Sequence, residues 1–377
     1  MAVARGAVGA ARGMTMTVTA FKETMTSKER TVAALTGKPY DRIPVNLLIS
    51  DHAARVIGVT VGEYNNSAQL LARGQIAAWR RYGADNVNTG PGLTGIAEAI
   101  GSRIAFPDST PYVAENVVKE EKDLDLLKVP DPEKDGRLPL FLEAASIVLR
   151  EIGDEVGLSM TTSGPFTTAA SIRGTDRFLR DLHKNPEFAH RLLRLATDSI
   201  IRFSAAAIGV GARIGLADPT ASGTMISPKQ FREFALPYLT EVTAALTAIA
   251  GVAPSLHICG NTAKIWPEMA DTGVSVLSLD DAVDLAAAKE LVGHRVALLG
   301  NVRPTAAMYL GTPDDVRANA LECLLKGWDN PKGYILGLGC GLPIDTPPEN
   351  IHALVAAARE YGRWPLEPGR FALSRAA

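Results

Sequence analysis

Cysteine is scarce in this chain, with three residues among 377, and histidine is little commoner at six. So few thiols, none with an evident partner, exclude a disulfide framework and fit a reducing cytoplasm. Long hydrophobic runs are missing as well. None reaches the ~18–20 residues that a membrane-spanning helix requires. Excess charge of either sign is also absent: 39 basic and 41 acidic residues leave a formal charge of −2. No basic stripe with interleaved aromatics appears, so the electrostatic footprint of a nucleic-acid binder is lacking. The sequence carries no oligomer signal, and a homodimer is compatible with its composition.

What is present is ordinary globular material, 46% hydrophobic and 21% charged. The length allows two domains, but a large α/β barrel reaches this size as one. Met1 to Ala20 is rich in Ala and Gly, carries Arg5 and Arg12, and lacks the apolar core of a secretory signal. We expect residues 1–25 to be a flexible extension, 26–365 the folded body, and 366–377 a tail.

Along that body an apolar run, a Gly/Pro/Asp break and a helical pattern recur. The expected strands are Ile43–Ser50, Asp85–Thr89, Gly157–Thr162, Arg213–Ala217, Ser255–Cys259, Val274–Leu279, Val296–Leu299 and Tyr334–Leu338. Helical patterns at Ser67–Arg81, Leu138–Ile152, Pro186–Ile208, Pro228–Ile249 and Pro313–Lys326, with shorter ones between, fill the gaps. Pro348–Tyr361 closes the series, its prolines placed where helix N-termini accept them. Eight strand–helix alternations predict a single (β/α)8 (TIM) barrel, although a doubly wound open sheet alternates similarly.

In a barrel, residues at the strand ends meet in one mouth. Asp51, His52, Asn88, Ser163, Asp218, His257, Cys259, Asp280, Asp281, Asn301 and Cys340 all fall there. His257 and Cys259 stand two apart, so they share a face if Ser255–Cys259 is a strand. Cys340, inside Gly337-Leu338-Gly339-Cys340-Gly341, ends another strand-like run. One imidazole and two thiolates suit zinc, and three protein ligands leave a position open for substrate. Taken alone, His-x-Cys is weakly specific, because buried cysteine is often only a small core residue. Cys323, inside the helical pattern 316–325, reads that way. Asp218, Asp280 and Asn301 are the further candidate catalytic residues. Asp218 could equally cap a turn, and of the adjacent Asp280 and Asp281 a strand would aim one at the mouth.

Several segments resemble the uroporphyrinogen decarboxylase superfamily. They are Asp41-Arg42-Ile43-Pro44-Val45, Gly164-Pro165-Phe166-Thr167-Thr168, Ile226-Ser227-Pro228 with Phe231, and Leu236-Pro237-Tyr238-Leu239. His257-Ile258-Cys259-Gly260-Asn261 belongs with them, as does Gly339-Cys340-Gly341-Leu342-Pro343 followed by Thr346-Pro347-Pro348-Glu349-Asn350. The resemblance covers Thr26 to Gly362 and implies a single (β/α)8 barrel. The decarboxylase branch carries an Arg-rich segment after its first strand and an aspartate after its second. Here the first reads Asn46 to Ala54 without an arginine, and Asn88-Thr89-Gly90-Pro91-Gly92 has no carboxylate. An acidic tetrapyrrole would lack the paired donors that its carboxylates need.

The other branch, zinc-dependent corrinoid methyltransferases, is marked by His-x-Cys with a distant Gly-Cys-Gly, matched by His257, Cys259 and Cys340. This resemblance implies Zn2+, and suggests Glu98 as a fourth ligand displaced by substrate, the alternative being an ordinary helix-surface glutamate. It also implies a corrinoid such as methylcobalamin and a small thiol or methyl ether (O-demethylation) as methyl acceptor or donor. A metal lowers the pKa of a bound thiol and polarises an ether oxygen, and either role needs the open position. The usual corrinoid-holding pattern, Asp-x-His-x-x-Gly, is broken at Asp181-Leu182-His183-Lys184-Asn185-Pro186, which reads as a turn between helices. The corrinoid is therefore expected on a separate binding protein. Tetrapyrrole decarboxylation and a barrel that binds small molecules or corrinoid without turnover are the alternatives.

Overall fold

The computed structural model describes residues 21–366. In chain order the strands are β1 (Val45–Asn46), β2 (Asn86–Asn88), β3 (Arg103–Ala105), β4 (Tyr112–Glu115), β5 (Gly157–Ser163) and β6 (Arg213–Ala217). They continue with β7 (Ser255–Ile258), β8 (Val276–Leu279), β9 (Ala297–Val302) and β10 (Tyr334–Leu338). Eight of them form one parallel sheet in the order β1-β10-β9-β8-β7-β6-β5-β2, while β3 and β4 pair separately as an antiparallel hairpin. The sheet curls until its two edges meet. At that seam the Asp85 amide donates to the Val45 carbonyl at 2.8 Å, and the Val45 amide donates to the Asp85 carboxylate at 2.7 Å. The fold is a single (β/α)8 barrel, as the alternation of runs predicts.

Outward-facing strand residues such as Leu158, Met160, Leu256, Ile258, Leu277 and Leu298 are buried under the ring of helices. Parallel strands covered on their outer face need this apolar alternation. Helix starts follow local chemistry. Thr26 with Glu29, Thr60 with Glu63, Ser227 with Gln230 and Thr312 with Asp315 each form a reciprocal capping box, satisfying amides that a first turn leaves free.

Charge also lies inside. Arg30 and Arg42 are buried and shared among Glu23, Asp41 and Asp85 at 2.6–3.3 Å. Buried guanidinium groups are tolerated because every charge has an opposite partner. The clasp joins the first helix (Ser27–Leu35) to the starts of β1 and β2. It also fixes Glu23, inside the stretch expected to be flexible; residues 1–20 and 367–377 lie outside the described residues.

Six strands both begin and end within two residues of the sequence-based bounds. The exceptions in length are β1, two residues where eight are expected, and β9, which runs on to Val302. Three features had no strong sequence signal: the first helix, the β3–β4 hairpin, and the helix pair Pro165–Arg173 and Thr175–Lys184. The helical pattern Pro228–Ile249 contains a π-helical turn at Phe231–Ala235. No helix among the described residues is long and apolar enough to cross a membrane.

Candidate metal centre

β7 ends at Ile258, so Cys259 stands one residue past the strand rather than on it. The chain turns there because Gly260 adopts φ +75°, a conformation side chains disfavour, and a Cβ at this position would lie 3.0 Å from Ser222 Oγ. Ser222 Oγ in turn donates to the Cys259 carbonyl at 2.6 Å, and the Gly260 amide donates to Asp280 Oδ2 at 2.8 Å. Beyond β10, Gly339 allows the second cysteine's turn to press on the loop after β8: a Cβ there would sit 2.4 Å from the Asp281 nitrogen.

These turns bring the scarce residues together. His257 Nε2 lies 3.1 Å from Cys259 Sγ, and Cys259 Sγ lies 3.6 Å from Cys340 Sγ. The three donor atoms all lie within 4.8 Å of one another, and each residue is half-buried. Two sulfurs each about 2.3 Å from a tetrahedral zinc would stand about 3.8 Å apart, so the sulfur spacing of 3.6 Å is close to what that ion needs. The opposite ring nitrogen, Nδ1, faces Ser278 Oγ at 3.1 Å and Ser278 O at 3.2 Å. A proton on Nδ1 satisfies both acceptors and leaves Nε2 with its lone pair toward the cysteines.

The electrostatics match that geometry. The hydrogen bond from Cys259 and the neighbouring His257 ring hold the Cys340 thiol well below the ordinary range. The negative sulfur so formed, together with burial and the nearby Asp280 carboxylate, pushes Cys259 up. A divalent cation bound between the two sulfurs would displace their protons.

The remaining candidates separate. Glu98 is not among the clustered donors: its carboxylate is held by Arg137 at 2.8 Å, and Arg137 lies over the Phe106 and Phe141 rings. Asp280 borders the centre, its two oxygens taken by the amides of Gly260 and Ala282. Asp281 lies close enough to Cys340 to feel its charge. Both aspartates adjoin the sulfurs, because the strand stops at Leu279 and its alternation with it. Asn301 faces away from the mouth; its amide donates to the carbonyls of Asp280 and Val283, and Cys323 packs against its oxygen. Cys323 is a buried core residue, as its helical pattern predicts. Asp218 is buried and accepts from the Phe166 and Thr167 amides at 3.2 and 2.6 Å, so it caps the neighbouring helix Pro165–Arg173. His52 bridges Tyr82 and the Ile344 carbonyl. The Asp181–Pro186 segment is a helix end, with Asn185 capping the next helix.

Ser278 and Ser222 had not stood out in the sequence. The signal for Ser278 was positional: β8 pairs with β7 so that Ser278 is the partner of His257.

The uroporphyrinogen decarboxylase (URO-D) family model matches residues 26–361. The chain belongs to that family. Within its reach, methylcobamide:CoM methyltransferase MtaA of Methanosarcina barkeri is 32% identical over 342 residues, covering 89% of this chain and 98% of the relative. A uroporphyrinogen decarboxylase of Psychromonas ingrahamii is 29% identical over 302 residues, or 78% of this URO-D chain and 84% of its own. A solved methyltransferase from Methanosarcina mazei superposes with a TM-score of 0.82 at 32% identity, covering 89% of this chain and 99% of that one.

Proposed function

We propose that this URO-D family member is a zinc-dependent methyltransferase. It moves a methyl group between a corrinoid carried by a separate protein and a small thiol or methyl-ether substrate. The observation that carries this reading is the convergence of His257, Cys259 and Cys340, from two strand ends far apart in sequence, with their donor atoms within 4.8 Å. Similarity over nearly the whole length to methylcobamide:CoM methyltransferases supports it.

His257 Nε2 and the two sulfurs would hold the ion, and zinc there would supply Lewis acidity toward a thiol or ether oxygen. The protein's own residues do the rest. Ser278 fixes the tautomer of His257, Ser222 and Asp280 hold the Cys259 turn, and Gly339 lets Cys340 approach. With a thiol acceptor, the thiol proton leaves to solvent, and a carbon–sulfur bond forms as the methyl–cobalt bond breaks. The electron pair of that bond stays on cobalt. With a methyl-ether donor the electron pair of reduced cobalt forms the methyl–cobalt bond as the carbon–oxygen bond breaks, and the oxygen keeps that bond's pair and leaves as an alcohol after taking a proton from solvent.

The test mixes zinc-loaded protein, a methylated corrinoid protein and a small thiol, and follows corrinoid absorbance. Wild type should convert the methylcobalt spectrum to that of reduced cobalt, while Cys340→Ser should slow the change by about 100-fold or more. Equal rates for the two proteins would refute the proposed role of the centre.

A further inference from the structure

Barrel interiors are ordinarily filled by bulky side chains in layers. This one is hollow. A cavity of about 800 Å³ runs inside the strands from His257 and Ser278 to the floor, where the strands begin. Neither Cys259 nor Cys340 lines it, so what it holds is not a ligand of the metal centre. On its wall β1, β2, β5 and β7 turn polar residues inward: Asn46, Asn86, Ser159, Thr161 and Ser255, all half-buried. One of them has a bare acceptor. Asn86 Oδ1 is withdrawn from bulk water and receives no hydrogen bond among the described residues. Such an acceptor takes its donor from bound water or from a ligand.

The floor is basic. Arg213 opens β6 and Lys332 stands two residues before β10, and both line the cavity. These strands are four apart in the eight-strand order, so the two cations come from opposite sides of the barrel. The first helix crosses between them. Beside β5 its Lys28 amide donates to the Glu155 carbonyl at 3.0 Å, and beside β10 a Cβ on Gly333 would lie 2.4 Å from the Ala34 carbonyl oxygen. That crossing sets Lys28 at the same opening. The charges are not answered by carboxylates. Asp85 is the one acidic residue among those lining the cavity, and Arg30 and Arg42 take its two oxygens. Arg295, the fourth basic lining residue, is paired with Asp271 at 2.6 Å. Lys28 donates to the Gly153 carbonyl, a neutral acceptor, at 2.8 Å, while the side chains of Arg213 and Lys332 have no partner among the described residues. Cations gathered at a cleft focus their field and concentrate anions there.

We infer that the barrel floor is a binding site for a small hydroxylated phosphate monoester, a molecule of sugar-phosphate size. The phosphate sits among Arg213, Lys332 and Lys28, whose donors and charge suit a dianion. The hydroxylated body extends up into the barrel, where one hydroxyl donates to Asn86 Oδ1 and others meet Ser159, Thr161 and Ser255. A neutral polyol would forgo the cations, and bare phosphate would bring nothing to the polar wall. The site opens on the face opposite the metal centre and does not depend on the methyltransferase reading.

The test is calorimetric titration of the zinc-loaded protein with ribose 5-phosphate, ribose and inorganic phosphate at low ionic strength. Wild type should bind ribose 5-phosphate with a dissociation constant below about 1 mM, inorganic phosphate about tenfold more weakly, and ribose not measurably. Arg213→Gln and Lys332→Gln alter exposed side chains that hold no other residue in place, so both variants should fold. Each should weaken ribose 5-phosphate about fivefold or more. Asn86→Ala removes an acceptor that no protein group uses; it should weaken ribose 5-phosphate about threefold or more and leave inorganic phosphate unchanged. Cys340→Ser should bind ribose 5-phosphate as wild type does, and a loss there would put the phosphate on the metal and overturn the inference. Failure of ribose 5-phosphate to bind would overturn it as well, as would equal binding by the Arg213→Gln, Lys332→Gln double variant. Ribose 5-phosphate no tighter than inorganic phosphate, or indifferent to Asn86→Ala, would reduce the floor to a patch of surface charge and defeat the site.

Discussion

Asp41 shows how much one residue of the buried clasp contributes. Burial alone would raise its carboxyl, but hydrogen bonds from Arg30 and from the Thr24 and Met25 amides outweigh that and hold it down at about 2. A carboxyl depressed in the folded state adds stability that is fully present above about pH 4 and is lost as pH falls through about 2. The contribution is on the order of 1–2 kcal/mol. Urea unfolding at pH 5 and pH 2.5 should show that pH-dependent loss in wild type and a smaller one in Asp41→Asn, which is already weaker at pH 5. The three metal-ligand candidates were legible because soft ligands are rare in this chain and fall at strand ends. Glu98 was less so: its partner Arg137 lies 39 residues away, and only the fold shows the pair. Serines are too common to stand out, so Ser278 and Ser222 needed strand register before they meant anything.

Among the elements, helix Pro165–Arg173 depends on a cap from outside itself. Its first free amides, Phe166 and Thr167, are received by Asp218 at the end of β6, and Gly164 is required because a Cβ would lie 2.5 Å from the Asp218 carboxyl. Burial raises this carboxyl to about 6 against the pull of the same hydrogen bonds. The sign is opposite to that of Asp41. The folded state keeps a proton that the unfolded chain releases, so this contribution is full below about pH 4 and is lost as pH rises through about 6. Asp218→Ala should cost about 1–2 kcal/mol in urea unfolding and flatten that pH dependence, while Asp218→Asn, keeping one acceptor, should cost less. Metal content unchanged in both variants would mark Asp218 as structural; loss of metal would place it at the site after all. The strands were readable because their outer faces carry continuous apolar runs. The Asp218 cap was not, since it joins residues more than 50 positions apart, and the β3–β4 hairpin is too short and too exposed to show periodicity.

For the molecule as a whole, the barrel decides which chemistry of the family it can host. Arg55, the first arginine after β1, is already taken up by Asp108 and Asp345, and Asn88 is bound inward to Thr161 at 2.5 Å. A tetrapyrrole bearing many carboxylates would find no free guanidinium clamp there. Incubation with uroporphyrinogen should therefore yield no coproporphyrinogen above a trace, and enzymatic rates would contradict the assignment. Zinc should copurify at about one ion per chain and be largely absent from Cys259→Ser, as judged by elemental analysis. The measurement that bears most directly on the account is zinc-edge X-ray absorption of the loaded protein, with and without a small thiol. Without thiol, one nitrogen at about 2.0–2.1 Å, two sulfurs at about 2.3 Å and one light atom should surround the ion. Adding thiol should replace the light atom by a third sulfur. A shell that starts with four protein ligands, or that the thiol leaves unchanged, would contradict the open position on which the proposed chemistry depends.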